Sequence, residues 1–435
     1  MKSIFLIYVL LFAGFMLKGQ SMDVTAIQRE LDYSVVLKAH FFGFCLYDLD
    51  NNRFLMGVNE NKLFTPASNV KTFTLFAALK NLGDSIPGLQ YVERGDSLIF
   101  WGTGDPTFLH NRLDSRKVYD FLKTSKKRLF YAEEHDTEEP FFRKGWAMED
   151  YEEYYQPEIS SFPIFGNVIT FREKKGVLTC SPAFFQSAIQ FKADTGTSYA
   201  LRRRFDANVY EQNRASPPHK YVNEKPFRYS PQLFVQLLTD TLKRDVQRVQ
   251  YKRPSDIKTV YSQATASLLR EMMLPSDNFI AEQLNMLVAQ AKYASFQTDR
   301  LRREMQNDYY GYFTDKIELF DGSGLSSYNK VTPRSMVELL LLVHHSVKDS
   351  VALRRLFPTG GVDGTLKRAY ALDNGEPFVW AKTGTIHAVH NQSGFIRTRR
   401  GRNLAFSFLN TNFLGEATAV RREMVRVMTF IRENY

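Results

Sequence analysis

The sequence predicts an α/β (α+β) fold: one sheet flanked by helices and interrupted by an inserted, mixed β-rich domain. Three observations carry this. Apolar–polar alternation marks strands near both ends, at residues 41–58 and 377–410. Helical periodicity occupies 231–242 and 264–290 and returns in the tail. Residues 88–225 differ, with short strands, polar turns and charge runs that are basic at 123–128 and acidic at 133–139. Aromatic pairs there, Phe141-Phe142 and Phe184-Phe185, give that region a core to bury. The expected division is a main domain from 21–87 with 226–435, and an insert at 88–225.

The chain opens with Met1-Lys2-Ser3, an apolar run from Ile4 to Leu17 and an exit at Gly19-Gln20. That run is too short to span a bilayer comfortably, so residues 1–20 read as a secretory signal peptide, with an uncleaved anchor as the lesser alternative. The mature chain is expected in the periplasm or cell envelope, without a transmembrane anchor. Cleavage would remove Lys2 and Lys18 and no acids, lowering the net charge from +10 to +8. A basic exported protein is drawn toward anionic envelope polymers. The clusters Arg202-Arg203-Arg204 and 397–402 read as solvated faces and a hairpin tip, and no nucleic-acid motif accompanies them. With 435 residues, 44% hydrophobic and 24% charged, the chain is an ordinary globular sequence long enough for two domains.

In chain order, 41–58 reads as two strands around the turn Asp50-Asn51-Asn52. Pro66 favours a helix start and Gly83 a stop, so Ser68 should open a helix along the apolar run from Phe73. Pro231 to Leu242 and Ala264 to Met273 are helical. Pro275 then places Ser276-Asp277-Asn278 in a loop before a helix from about Phe279 to Gln290. Pro377 to Val389 reads as a strand carrying Lys382, and 393–398 with 403–410 as a hairpin. In the tail, Val420, Met424, Val427, Met428 and Ile431 recur at helical spacing and should pack on the sheet.

The chemistry lies in three short motifs. In Ser68-Asn69-Val70-Lys71 the serine and lysine stand one helical turn apart, side by side. A serine hydroxyl needs a neighbouring base, and a desolvated lysine amine is one. Alone, S-x-x-K is common by chance and reads as a polar helix face. Here Ser276-Asp277-Asn278 and Lys382-Thr383-Gly384-Thr385 follow in the order S-x-x-K, S-D-N, K-T-G. That triple is a known signature of β-lactamases and penicillin-binding proteins.

With these residues the chain resembles the low-molecular-mass class C penicillin-binding proteins of the D-alanyl-D-alanine carboxypeptidase/endopeptidase family. Gly102 to Thr107 (G-T-G-D-P-T), Ser276 to Glu282 (S-D-N-F-I-A-E), Asp321 to Ser326 (D-G-S-G-L-S) and Gly361 to Leu366 (G-V-D-G-T-L) are similar to segments of that family. The resemblance implies a penicillin-binding transpeptidase/β-lactamase-like domain, with an antiparallel sheet between helical layers. The 208-residue step from Ser68 to Ser276 is short for the family and implies a trimmed insert.

The implied roles are residue-specific. Ser68 is the nucleophile and Lys71 the general base. Ser276 relays a proton to the leaving amine, and the Asn278 amide holds the substrate backbone. Lys382 adds positive charge that helps keep Lys71 neutral. Thr385 binds the terminal carboxylate, and its N–H with that of Ser68 forms the oxyanion hole. Thr383 and Gly384 complete the substrate-binding strand. Trp146 and Glu149 sit at the cleft mouth, Glu149 reading the free end of the stem-peptide side chain. The expected substrates are peptidoglycan stem peptides, with β-lactam antibiotics as covalent inhibitors and no cofactor.

A serine β-lactamase shares the acylation chemistry, but Glu282-Gln283-Leu284-Asn285 is only superficially similar to the class A deacylation loop. A non-catalytic peptidoglycan-binding protein of the same fold is the second alternative. The eight histidines include His344-His345, His387 and His390, but no metal-ligand spacing appears. Gly102-Thr103-Gly104 lacks the third glycine of a nucleotide loop. Cys45 and Cys180 could pair in an oxidising compartment, but two free thiols are the favoured reading, because distant cysteines give no geometric warrant for a bridge.

Overall fold

Successive strand residues point to opposite faces, and 41–48 uses both. Phe44 and Leu46 enter one buried cluster, Cys45 and Tyr47 another. In this computed structural model, which describes residues 24–113, 116–133, 139–192 and 196–435, that strand lies fourth in a five-stranded sheet. The order is Val379–Ile386, Val389–Arg397, Asn403–Thr411, Phe41–Asp48, Arg53–Val58, antiparallel throughout. The strands nearest the two chain ends are thus direct neighbours. The signal-peptide expectation falls outside the described residues.

Helices cover both faces. The Cys45 face shares its core with Lys71–Asn81, Thr265–Met273, Asn278–Tyr293 and Pro333–Ser346. The Phe44 face carries Val24–Asp32 and Thr418–Asn434. The latter buries Val420, Met424, Val427, Met428 and Ile431, as their spacing predicts, each contributing about 1.5–3 kcal/mol. Both cysteines are free. Cys45 is buried, which pushes its thiol up to about 12.

The second unit is built on a mixed sheet ordered Val246–Val249, Arg128–Ala132, Ser97–Trp101, Ser85–Arg94, Lys258–Ala264. Two three-stranded sheets join it through a shared aromatic core that includes Phe100, Phe171, Phe185 and Tyr210. The return to the main domain, expected at 226, comes later. Helix Pro231–Leu242 buries Phe234, Leu237 and Leu238 in the second unit's core, and strands 246–249 and 258–264 complete its sheet. By sheet and core, this unit runs from Ser85 to Ala264. The strand expected over 377–389 is also shorter: it ends at Ile386, and Ala388, at φ 57°, turns the chain back into Val389–Arg397.

Candidate active site

Ser68 sits in a single 3-10 turn, Ala67–Val70, that runs directly into helix Lys71–Asn81. Ala67, just before it, takes φ 47°, a left-handed conformation that costs an L residue about 1–2 kcal/mol. Neighbours hold the turn in place. Asn391 donates from Nδ2 to the carbonyls of Thr65 and Pro66, both at 2.9 Å. A Cβ on Gly384 would stand 2.6 Å from the Pro66 carbonyl and 2.8 Å from Ser68 N. Only glycine lets the K-T-G strand lie this close. From the other side Gly324, at φ +87°, approaches so closely that a Cβ would fall 1.9 Å from the Ala67 carbonyl.

The side chain of Lys71 is fully buried. Its Nζ donates to Ser68 Oγ at 3.0 Å, to Asn278 Oδ1 at 2.6 Å and to the Ser323 carbonyl at 2.6 Å. An ammonium has three N–H groups, and here each has an acceptor. Without its proton, the amine keeps two donors for Asn278 and Ser323 and turns its lone pair to the Ser68 hydroxyl. Burial lowers this amine from 10.5 to about 8, against the opposing pull of Asp321, Asp277 and Glu282.

The second serine–lysine pair faces the first. Lys382, on strand Val379–Ile386 and also fully buried, donates to Ser276 Oγ at 2.9 Å and to the Thr383 carbonyl at 2.7 Å. Ser276 is held at φ 66°, just before the Asp277 cap of helix Asn278–Tyr293. Burial drives the Lys382 amine well below its ordinary value, and the charge of Lys71 adds to this. Burial is the first cause for both amines, and the expected charge of Lys382 is not among the causes that lower Lys71. Asn278 has protein partners as well as a place in the cavity lining. Its Oδ1 accepts from Lys71 and its Nδ2 donates to the Tyr155 carbonyl at 3.0 Å, so both ends of the amide are engaged.

A cavity of about 990 Å³ opens over these groups, lined among others by Ser68, Ser276, Asn278, Thr383, Thr385 and Trp146. Thr383 Oγ1 donates to Thr365 Oγ1 at 2.7 Å, which puts the G-V-D-G-T-L segment against the K-T-G strand. The Thr385 hydroxyl bonds His390 Nδ1 at 2.8 Å; burial lowers that imidazole to about 4, so it is neutral at pH 7. His387 lines the cavity. Trp146 is half-buried there, donating from Nε1 to Asp321 Oδ2 at 2.8 Å. Glu149 is exposed and away from the lining, which takes Asp150 instead. A one-turn 3-10 helix, Met148–Asp150, sets that alternation.

Residues absent from the motif reading complete the site. Asn391 pins the nucleophile turn. Glu282 is buried, its Oε1 accepting from Gly322 N and Ser323 N, both at 2.8 Å, and it does not line the cavity. Its segment was flagged by the S-D-N-F-I-A-E match; its role was not. Among the described residues no group of three His, Cys, Asp or Glu could hold a metal ion, and no helix is long and apolar enough to cross a membrane.

Residues 26–432 match the model of the D-Ala-D-Ala carboxypeptidase 3 (S13) family. The chain is 36% identical over 162 residues to a D-alanyl-D-alanine carboxypeptidase DacB of Haemophilus influenzae, covering 36% of this chain and 33% of that protein. The first curated relatives are thus matched over about a third of their length. A D-alanyl-D-alanine carboxypeptidase of an Actinomadura species is 25% identical over 461 residues, covering 93% of this chain and 84% of that protein. Among solved structures, penicillin binding protein 4 of H. influenzae superposes with a TM-score of 0.72 at 22% identity, over 95% of this chain and 100% of that one.

Proposed function

The chain belongs to the D-Ala-D-Ala carboxypeptidase 3 (S13) family, and from that premise we propose that it cleaves D-alanyl-D-alanine ends and cross-links of peptidoglycan stem peptides through a serine acyl-enzyme. The observation that carries this is the buried Lys71 amine, 3.0 Å from Ser68 Oγ at the edge of the cavity.

Ser68 Oγ attacks the carbonyl of the penultimate D-alanine while its proton passes to neutral Lys71 Nζ. The Oγ–C bond forms, and the oxyanion is held by the backbone N–H groups of Ser68 and Thr385. The C–N bond then breaks as a proton reaches the leaving amine by way of Ser276, leaving an ester at Ser68. Water hydrolyses that ester and regenerates the serine. Lys382, with the hydroxyls of Thr383 and Thr385, receives the terminal carboxylate; an incoming anion favours the charged form of that buried amine. Trp146 and Asp150 line the wall where the stem-peptide side chain would lie. Asp150 takes the place first assigned to Glu149. A penicillin opens its ring on the same serine, which makes β-lactams covalent inhibitors. The leader read over residues 1–20 would deliver the enzyme to the periplasm or cell envelope, where this substrate lies.

The β-lactamase alternative needs a carboxylate that activates water against the ester. Glu282 faces the Gly322–Ser323 backbone instead, so the penicillin ester should be long-lived. A purely binding role would leave no reason to bury two lysines against two serines at bonding distance. Intact mass after incubation with penicillin tests the reading. Wild type should gain one penicillin mass and Ser68→Ala none. An adduct surviving in Ser68→Ala, or missing in wild type, overturns it.

A further inference from the structure

Segment 139–146 of the second unit reaches the catalytic unit with two donors, and each ends on a buried carboxylate. Arg143, with a side chain only 4% exposed, donates from Nε to Glu282 Oε2 at 3.3 Å and pairs also with Glu139. Glu139 is itself fixed by Thr298, whose N and Oγ1 donate to it at 2.7 and 2.8 Å. Trp146 Nε1 donates to Asp321 Oδ2. Between these donors Gly145, at φ +81°, packs so near Ser326 that a Cβ would stand 2.7 Å from its Oγ.

Both carboxylates hold the backbone of a single loop. Glu282 Oε1 accepts from Gly322 N and Ser323 N. Asp321 accepts from Gly324 N at 2.9 Å, Ser326 N at 2.7 Å and Asn329 Nδ2 at 2.7 Å. With its N–H groups tied down on either side, the Ser323 carbonyl has one direction left, toward Lys71 Nζ at 2.6 Å. That bond decides which way the amine's lone pair faces.

We infer that Arg143, through Glu282, and Trp146, through Asp321, are positioning residues for the general base, so that the second unit aligns Lys71 on Ser68. The ionisable groups facing Lys71 are Asp277 and Glu282 around helix Asn278–Tyr293, Asp321 from the loop, and Lys382 from the sheet. Arg143 therefore has two effects. It fixes the loop, and it opposes the upward push that burial and Asp321 give the Glu282 carboxyl, favouring its ionised form.

The inference rests on the general-base role of Lys71 proposed above. The test is the pH profile of acylation by a fluorescent penicillin in the full chain. Glu282→Gln and Arg143→Met should each lower the plateau about tenfold to a hundredfold. Each should also move the midpoint of the rising limb to lower pH by about half a unit or more: Glu282→Gln removes a negative charge facing Lys71, and Arg143→Met lets the buried Glu282 take up a proton. Arg143→Lys, which keeps the charge, should hold the wild-type midpoint. A lost fraction of folded protein lowers the plateau alone, and loosened packing that admits water to Lys71 would raise the midpoint, opposite to the expected shift. If Glu282→Gln does not fold, the Arg143 pair decides alone. Midpoints of Glu282→Gln and Arg143→Met that coincide with wild type overturn the inference. A wild type that takes no penicillin at Ser68 overturns the earlier reading instead.

Discussion

Two serine–lysine pairs meet in one cleft with nearly equal geometry: 3.0 Å for Ser68–Lys71 and 2.9 Å for Ser276–Lys382. Both amines are fully buried, and burial alone pushes both toward the neutral form. Their surroundings separate them. Lys71 feels three carboxylates that restore part of its proton affinity, leaving it near 8. Lys382 has two oxygen acceptors and a neighbouring cation, and is depressed further. The distance between a serine and a lysine therefore does not set the lysine's task; the charges behind it do. Lys71 can change state near neutrality, as a base must. Burial favours the neutral form of Lys382, a preference that an incoming anion would reverse.

The largest effect expected from this contrast follows replacement of Lys71 by a group that cannot lose its proton. Lys71→Arg should slow acylation by penicillin by roughly 10²- to 10⁴-fold, the range of a lost general base. In wild type the rate should rise with pH around a midpoint near 8, because the neutral amine accepts the serine proton. Near-normal acylation by Lys71→Arg would transfer the base role elsewhere, with Lys382 the next candidate.

A smaller effect should follow at the other pair. Lys382→Gln is expected to lower kcat/KM about tenfold to a hundredfold on peptides ending in a free carboxylate, the size of one charge-assisted hydrogen bond. Peptides capped as the terminal amide should lose much less. Equal losses on both would mean that Lys382 does not read the carboxylate. The smallest effect sharpens the contrast most. Since burial favours the neutral form of resting Lys382, Lys382→Gln should leave the wild-type midpoint of penicillin acylation within a few tenths of a pH unit. A clear rise would show that Lys382 is charged at rest and repels the proton from Lys71.

Chemistry carried by close sequence neighbours was legible before the fold was known. Ser68 and Lys71 share one helical turn, and Lys382 to Thr385 lie on one strand. What escaped the sequence acts across long separations. Arg143 meets Glu282 only after the two units have come together, and Asn391 meets Pro66 only once the main sheet has formed, and neither has a local pattern to announce it. Glu149, expected at the cleft mouth, is exposed and off the cavity lining that Asp150 joins, because a short 3-10 turn follows neither strand nor α-helix periodicity. The boundary at 226 failed for another reason. The periodicity of 231–242 shows that one helix face is buried, but not in whose core.

The pairing of Phe41–Asp48 with Asn403–Thr411 also sets a timetable for synthesis. Phe41 waits for Thr411, 370 residues later, before its edge is satisfied. The second unit, whose sheet closes within 85–264, can settle while the ribosome is still working. Lys382 and Asn391 lie on the two strands beyond Asn403–Thr411, so they can join this sheet only after nearly the whole chain has emerged. A nascent chain therefore carries its serine for most of its synthesis without the means to use it. Truncation even a few strands short of the end should leave a folded insert beside an unarmed nucleophile.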